Sequence, residues 1–241
     1  MSLFSIIKED FLVPKKNDPA LHSVFELFFN YPGIWAIVNY RIANKFYTNN
    51  WKLIARALSG ITQIITNIDI HPAATIGRRV FIDHGFGVVI GETTNIEDDV
   101  LIYQGVTLGG VSLVHGKRHP TIKKASVIGS GAKILGNITI GENCKIGANS
   151  VVIKDVPCGS TAIGVPARII KQKVDKCDEG SIQLDHNNIP DISKEMFNYL
   201  LQRVAVLEHA LKKYDGIDVS KEDKELEDIY KNFIDAMKVE N

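Results

Sequence analysis

Two short clusters of titratable residues stand out in this 241-residue chain. One is Asp83-His84, set between Ile82 and Phe86 in the stretch RRVFIDHGFGVVIGETT. The other is Arg118-His119, in KRHPTI. A histidine with an ordinary pKa of about 6.5 is largely neutral at pH 7, so it can take a proton from a weak nucleophile. A carboxylate that fixes its tautomer and stabilises the imidazolium makes such a base more effective. An arginine offers two parallel N–H donors that fit a carboxylate. His84 is therefore a candidate base and Arg118 a candidate anion clamp. The bland alternatives are a corner histidine bonded to a backbone carbonyl and a solvated loop arginine. His84, His115 and His119 also make a third possibility, three imidazoles around a zinc ion with an open fourth position.

What positions these residues is a repeat. From Ile70 the chain carries an aliphatic residue every six positions: Ile70, Ile76, Ile82, then Ile90, Ile96, Ile102, Leu108, then Ile122, Ile128, Ile134, Ile140, Ile146 and Val152. A helix repeats near 3.6 and a half-buried strand near 2, and neither fits a sustained period of six. Six fits a prism of short strands, three hexads to a coil, with the anchors stacked inside. Cys144 falls on an internal position and reads as a small core thiol. The repeat breaks twice, by two extra residues between Ile82 and Ile90 and by eight between Leu108 and Ile122. An insertion in a stacked solenoid must leave the prism as a loop, and such loops often build the binding face. Asp83 and His84 lie just before the first break, and Arg118 and His119 lie in the second.

Composition narrows the class. Hydrophobic residues make up 45%, charged residues 23%, and 28 basic residues balance 28 acidic ones. That is an ordinary soluble globular composition without the basic excess of a nucleic-acid surface. The most apolar region, VFELFFNYPGIWAIVNYRI, is interrupted by polar residues, Pro32 and Gly33, so no membrane span is expected. No secretory leader is visible at MSLFSIIKED, and Cys144, Cys158 and Cys177 show no paired spacing. Free thiols in a cytoplasmic setting are the expectation.

The segments DIHPAATIG, FIDHGFGVVIGETTNIEDDV, YQGVTLGG, KRHPTI, IGSGAKILGNITIGENCKIGANSVV and GVPARII resemble the bacterial serine O-acetyltransferases over residues 69–170. A weaker likeness extends to NDPAL at Asp18 and YRIA at Tyr40. The resemblance implies an α+β fold: an N-terminal helical domain (1–68), a left-handed parallel β-helix (69–170), and a connector with C-terminal helices (171–241). It implies acetyl transfer from acetyl-CoA to the hydroxyl of L-serine, the first step of cysteine synthesis, with feedback inhibition by L-cysteine. His84 then stands as the base and Asp69 as its carboxylate partner. Asp83 and Asp18 are placed to hold the substrate ammonium, and Arg118 and His119 its carboxylate. By its residues alone, Asp18 also reads as a helix N-cap before Pro19. Acetyl-CoA is expected along Gly109, Gly110, Ser130, Ala132 and Lys145, with Arg168 a weaker candidate, and no metal is required. Partners are small molecules and further copies, a homotrimer or a dimer of trimers, with no nucleic acid or membrane. A related acyltransferase acting on an amino sugar, a zinc hydratase like the γ-type carbonic anhydrases, and a non-enzymatic scaffold are the competing readings.

The two ends are less informative. Residues 1–68 read as helices, with Phe25, Phe28 and Phe29 as one apolar cluster and WKLIARALSGITQIIT as an amphipathic segment. Phe197, Leu200, Val204, Leu207 and Leu211 step 3-4-3-4, either a surface helix or a three-stranded coil, and a second helix is expected near Lys221–Lys238. Many family members end in an isoleucine whose carboxylate enters O-acetylserine sulfhydrylase. Here YDGI at 214–217 is followed by further chain, so that complex is not expected.

Overall fold

Side chains six apart point into the core from successive walls, and the chain coils until each lies over its counterpart of the next turn. A computed structural model describes residues 3–172 and 199–207. Three sheets, A, B and C, form the walls of the prism. Ile70, Ile90, Leu108, Ile134 and Val152 stack in parallel register on sheet A. Ile76, Ile96, Ile122 and Ile140 stack on sheet B, and Ile82, Ile102, Ile128, Ile146 and Ala162 on sheet C. All fourteen are buried. The strands are only two or three residues long up to Val152, so the ladder between coils and the aliphatic column hold them, not local propensity.

The corner between sheets B and C turns the same way in four successive coils. Arg79, Asp99, Ala125 and Asn143 have φ of 55, 61, 56 and 54°. Left-handed backbone costs a residue with a Cβ about 1–2 kcal/mol. Corner amides offset it: Asp99 N–H donates to Arg78 O, Ala125 N–H to Asp98 O and Asn143 N–H to Lys124 O.

A stack of coils leaves the carbonyls of its first coil unpaired, an edge that must be covered. Helices α1 (Leu3–Asn17), α2 (Pro32–Thr48) and α3 (Lys52–Thr66) do this. Ser59 donates to Ile70 O, Asn44 to Pro72 O and Ala74 O, and Tyr40 to Ala74 O. Arg41 donates to Ile76 O and Gly77 O and is held by Asp10, Nε to Oδ2 at 2.9 Å. A Cβ on Gly33 would lie 2.0 Å from Ile82 O, so glycine there lets α2 lie against the coil. Helix α3 turns its small face inward, burying Ala55, Ser59, Thr62 and Thr66, and leaves Leu53, Ile54, Ile61, Ile64 and Ile65 exposed.

The structure departs from several expectations. Asp18 is not an N-cap. It follows the end of α1 and closes a turn, Oδ1 accepting from Ala20 N–H at 2.8 Å. The cap belongs to Ser23, which forms a capping box with Glu26 at the 3-10 turn Val24–Phe28, a pattern that competes better than Asp-Pro for a helix start. Of the aromatic cluster, Phe25, Phe28 and Phe29 are all exposed, Phe28 packing against Phe11 and Trp35, and the buried residue is Leu27. Cys144 is free and buried, with its thiol pKa raised by burial. Cys158 is disulfide-bonded, against the expectation of free thiols, since spacing carries no signal for a bridge of that kind. The helices and coils belong to one compact unit, and the helical residues 199–207 to another. Leu200, Val204 and Leu207 are exposed there. Phe197, Leu211, Lys221–Lys238 and YDGI lie outside the described residues.

Candidate active site

The first break in the hexads is absorbed at the corner between sheets C and A. Asp83 N–H donates to Ile102 O at 2.8 Å, and Gly85 N–H turns back to Asp83 O at 2.6 Å. His84, Gly85 and Gly87 have φ of 57, 79 and 72°. A Cβ on Gly85 would lie 2.5 Å from Ile68 Cδ1, so only glycine lets this turn lie on the core. The result is an exposed imidazole at His84 beside a half-buried carboxylate at Asp83.

The helical segment brings Asp18 to the same corner. Its Oδ2 accepts from Tyr31 Oη at 2.5 Å. Burial, and then the charge of Asp18, push the Asp83 carboxyl above the ordinary carboxylate range, with His84 pulling the other way. Burial raises Tyr31 beyond the ordinary tyrosine range, helped by its bond to Asp18, and Tyr103 is raised by burial and then by Asp83 and Asp18. The two carboxylates are thus close enough to bear on one another's charge, with Tyr31 bonded to Asp18 and Tyr103 within the field of both. None of the ion pairs among the described residues involves either of them. Such a pair suits a cation small enough to sit between them. Asp69 lies on the first strand of sheet A, paired with Val89. It is half-buried, and no hydrogen bond joins it to His84 among the described contacts.

Arg118 and His119 are elsewhere, at the corner between sheets A and B. Arg118 Nη2 donates to Glu92 Oε2 at 2.5 Å. His119 is buried and packs flat against the preceding coil: a Cβ on Gly91 would lie 2.1 Å from its Nε2. Burial, then the Arg118 charge, lower its pKa. His71 of DIHPAA is also lowered, by burial and then by Arg56. The width of sheet A separates this corner from that of Asp18, Asp83 and His84, so within one chain the two clusters stay apart. His115 is exposed on the excursion. No group of three potential metal ligands converges among the described residues.

The expected CoA contacts are spread as widely. Gly109 ends a strand of sheet A and Gly110 follows it, exposed, with a Cβ there falling 3.2 Å from His119 Nε2. Ser130 is half-buried at the corner between sheets C and A. Ala132 is fully buried, and its backbone is already engaged with Gly129 O and Thr107 N–H. Lys145 begins a strand of sheet C.

The bacterial transferase hexapeptide family (six repeats) matches residues 119–154. The serine acetyltransferase of Bacillus subtilis (strain 168) is 47% identical over 208 residues, covering 86% of this chain and 94% of that relative. The chain belongs to the serine acetyltransferase family. A solved serine acetyltransferase in complex with CoA matches with a TM-score of 0.67 at 44% identity, covering 70% of each chain. Another, in complex with cysteine, matches with a TM-score of 0.69 at 44% identity, covering 71% of this chain and 67% of that one.

Within that family frame, the structure adds residues that pattern reading missed. Tyr31 bonds Asp18 and Tyr103 feels the charge of both acids, and Glu92, Thr93 and Gly91 build the second corner. The signal was present in GETT, whose glycine and first threonine both touch His119. It was unreadable because its partner lies 26 residues on.

Proposed function

We propose that the chain transfers the acetyl group of acetyl-CoA to the hydroxyl of L-serine, releasing O-acetyl-L-serine and CoA, the first step of cysteine synthesis. The observation that carries this is the pair Asp18 and Asp83, brought together from two segments beside an exposed histidine. A sugar hydroxyl needs no such pair, whereas an amino acid brings an ammonium group. His84 takes the hydroxyl proton as the serine oxygen attacks the thioester carbonyl. The carbon–sulfur bond then breaks, and the proton passes to the leaving CoA sulfur. Asp69 stabilises the imidazolium from the neighbouring strand. Asp18 and Asp83 hold the ammonium.

Arg118 and His119 hold the serine carboxylate from a neighbouring copy, Arg118 exchanging or sharing its Glu92 partner. Two half-sites on different corners support a homotrimer of prisms side by side. The exposed aliphatic stripe of α3 is the face that a second copy would cover in a dimer of trimers. In this reading the coil is left-handed, with helices over 1–68, the prism over 69–170 and a C-terminal part over 171–241. Acetyl-CoA runs between copies along Gly109, Gly110, Ser130 and Lys145, with Ala132 as packing behind it. L-cysteine carries the same two charges as serine and inhibits at the same place. No described helix is long and apolar enough to cross a membrane, in keeping with a cytoplasmic enzyme.

The test is CoA thiol release with purified protein and L-serine, with L-homoserine and a panel of amino sugars as controls. Serine-dependent release, reduced about 10²–10⁴-fold in His84→Ala, is expected. Turnover of a sugar in preference to serine overturns the reading.

A further inference from the structure

We infer that Thr93 is a positioning residue that locks His119 as a neutral Nε2–H donor aimed at the substrate carboxylate; the last clause rests on the serine reading above. Five contacts converge on this one side chain and its backbone. Thr93 Oγ1 accepts from Arg118 N–H at 3.0 Å and from His119 N–H at 3.1 Å. Thr93 N–H donates to His119 Nδ1 at 3.2 Å, and Thr93 Oγ1 lies 2.9 Å from the same nitrogen. The Thr93 carbonyl accepts from Lys117 Nζ at 2.6 Å.

The tautomer follows from the donors. A backbone N–H can only donate, so Nδ1 is the unprotonated nitrogen and the ring proton sits on Nε2. The threonine hydroxyl, accepting twice from backbone, turns its own proton to Nδ1 as well. Both donors favour the neutral ring over the imidazolium. A Cβ on Gly91 would stand 2.1 Å from Nε2 and one on Gly110 3.2 Å from it, so glycine at both positions leaves the room in which this edge of the ring sits. His119 therefore does not compete with His84 as a base; it is a fixed donor beside Arg118. Thr93 sets the position of both, because the two backbone N–H groups of the Arg118-His119 turn end on its hydroxyl. The charged and titratable groups that bear on His119 are Arg118, Glu92 and Lys117, with His71 close by.

The experiment uses full-length protein labelled with nitrogen-15 in its histidines, with His119 assigned through His119→Gln. In the unsubstituted protein at pH 7, His119 should show a bare Nδ1 and a protonated Nε2. The tautomer is read on the unsubstituted protein, the variant serving only to assign its signals. Thr93→Val keeps the backbone N–H to Nδ1 but loses the hydroxyl donor and the acceptor of the two turn amides, so it should shift the His119 titration upward and raise KM for serine about tenfold with kcat within about twofold. Thr93→Ser should restore both. A protonated Nδ1 in the unsubstituted protein, or a Thr93→Val protein with unchanged titration and unchanged KM, overturns the inference. A shifted titration with unmoved KM leaves the hold of Thr93 on the ring standing and overturns the carboxylate role of His119, so the two readings fail separately.

Discussion

At the residue scale, the acidic corner sets function against stability. Asp83 has a folded pKa above its ordinary value of 3.8, mainly through burial. A raised pKa means that the folded state holds this proton more tightly than the unfolded chain does. Its stabilising contribution is complete below the ordinary value and is lost as pH rises through the folded one. At pH 7 the ionised carboxylate is therefore a cost to the fold, one that a cation held against it would relieve. Asp83→Asn is expected to raise the melting temperature at pH 7 while raising KM for serine. In the unsubstituted protein, KM for serine should climb on acidification at a higher pH than an ordinary carboxylate would give, and Asp83→Asn should lose that limb. Calorimetry and initial rates across pH check both. A flat KM over the acid range would remove Asp83 from ammonium binding.

At the element scale, the helices serve as a lid on the first coil, and Arg41 is its main fastening. It bridges buried Asp10 and the carbonyls of Ile76 and Gly77. Burial dominates at Asp10, whose carboxyl is raised in spite of its arginine, so the pair is costly to bury and costlier to break. Arg41→Met strands a buried carboxylate and two carbonyls, and should lower unfolding stability by about 3–5 kcal/mol in urea titration. Asp10→Asn combined with Arg41→Met should recover part of that loss, because no unpaired charge remains. The same lid carries Asp18 and Tyr31, so its seating also fixes half of the acidic corner. Hexads made the prism legible from sequence, since stacking needs only in-phase side chains of one type. The lid was legible as helices but not as a lid. Its contacts run from Ser59, Asn44, Tyr40 and Arg41 to backbone carbonyls, which have no residue type to read.

At the scale of the whole molecule, neither corner alone can hold both charges of an amino acid. If the site forms where one copy's His84 corner meets a neighbour's Arg118 corner, two inactive variants should rescue one another. His84→Ala and Arg118→Ala, denatured together and refolded as mixed assemblies, should regain about a quarter of wild-type activity, because each shared site draws an intact half from either side with even odds. Refolded separately, each should stay inactive. If the site lay within one chain, every chain in the mixture would carry a defect and no activity would return. The reading therefore stands or falls on the mixture.

The sequence by itself determined the prism, the places where the chain leaves it, and the residue types carried on those excursions. Period, insertion and side-chain chemistry are local properties that survive without coordinates. Only the tertiary structure decided that Asp18 meets Asp83, that Arg118 stands a sheet's width away, and that Thr93 holds His119. Those facts depend on which coil lies over which and on backbone donors that every residue shares, so no spacing along the chain could announce them.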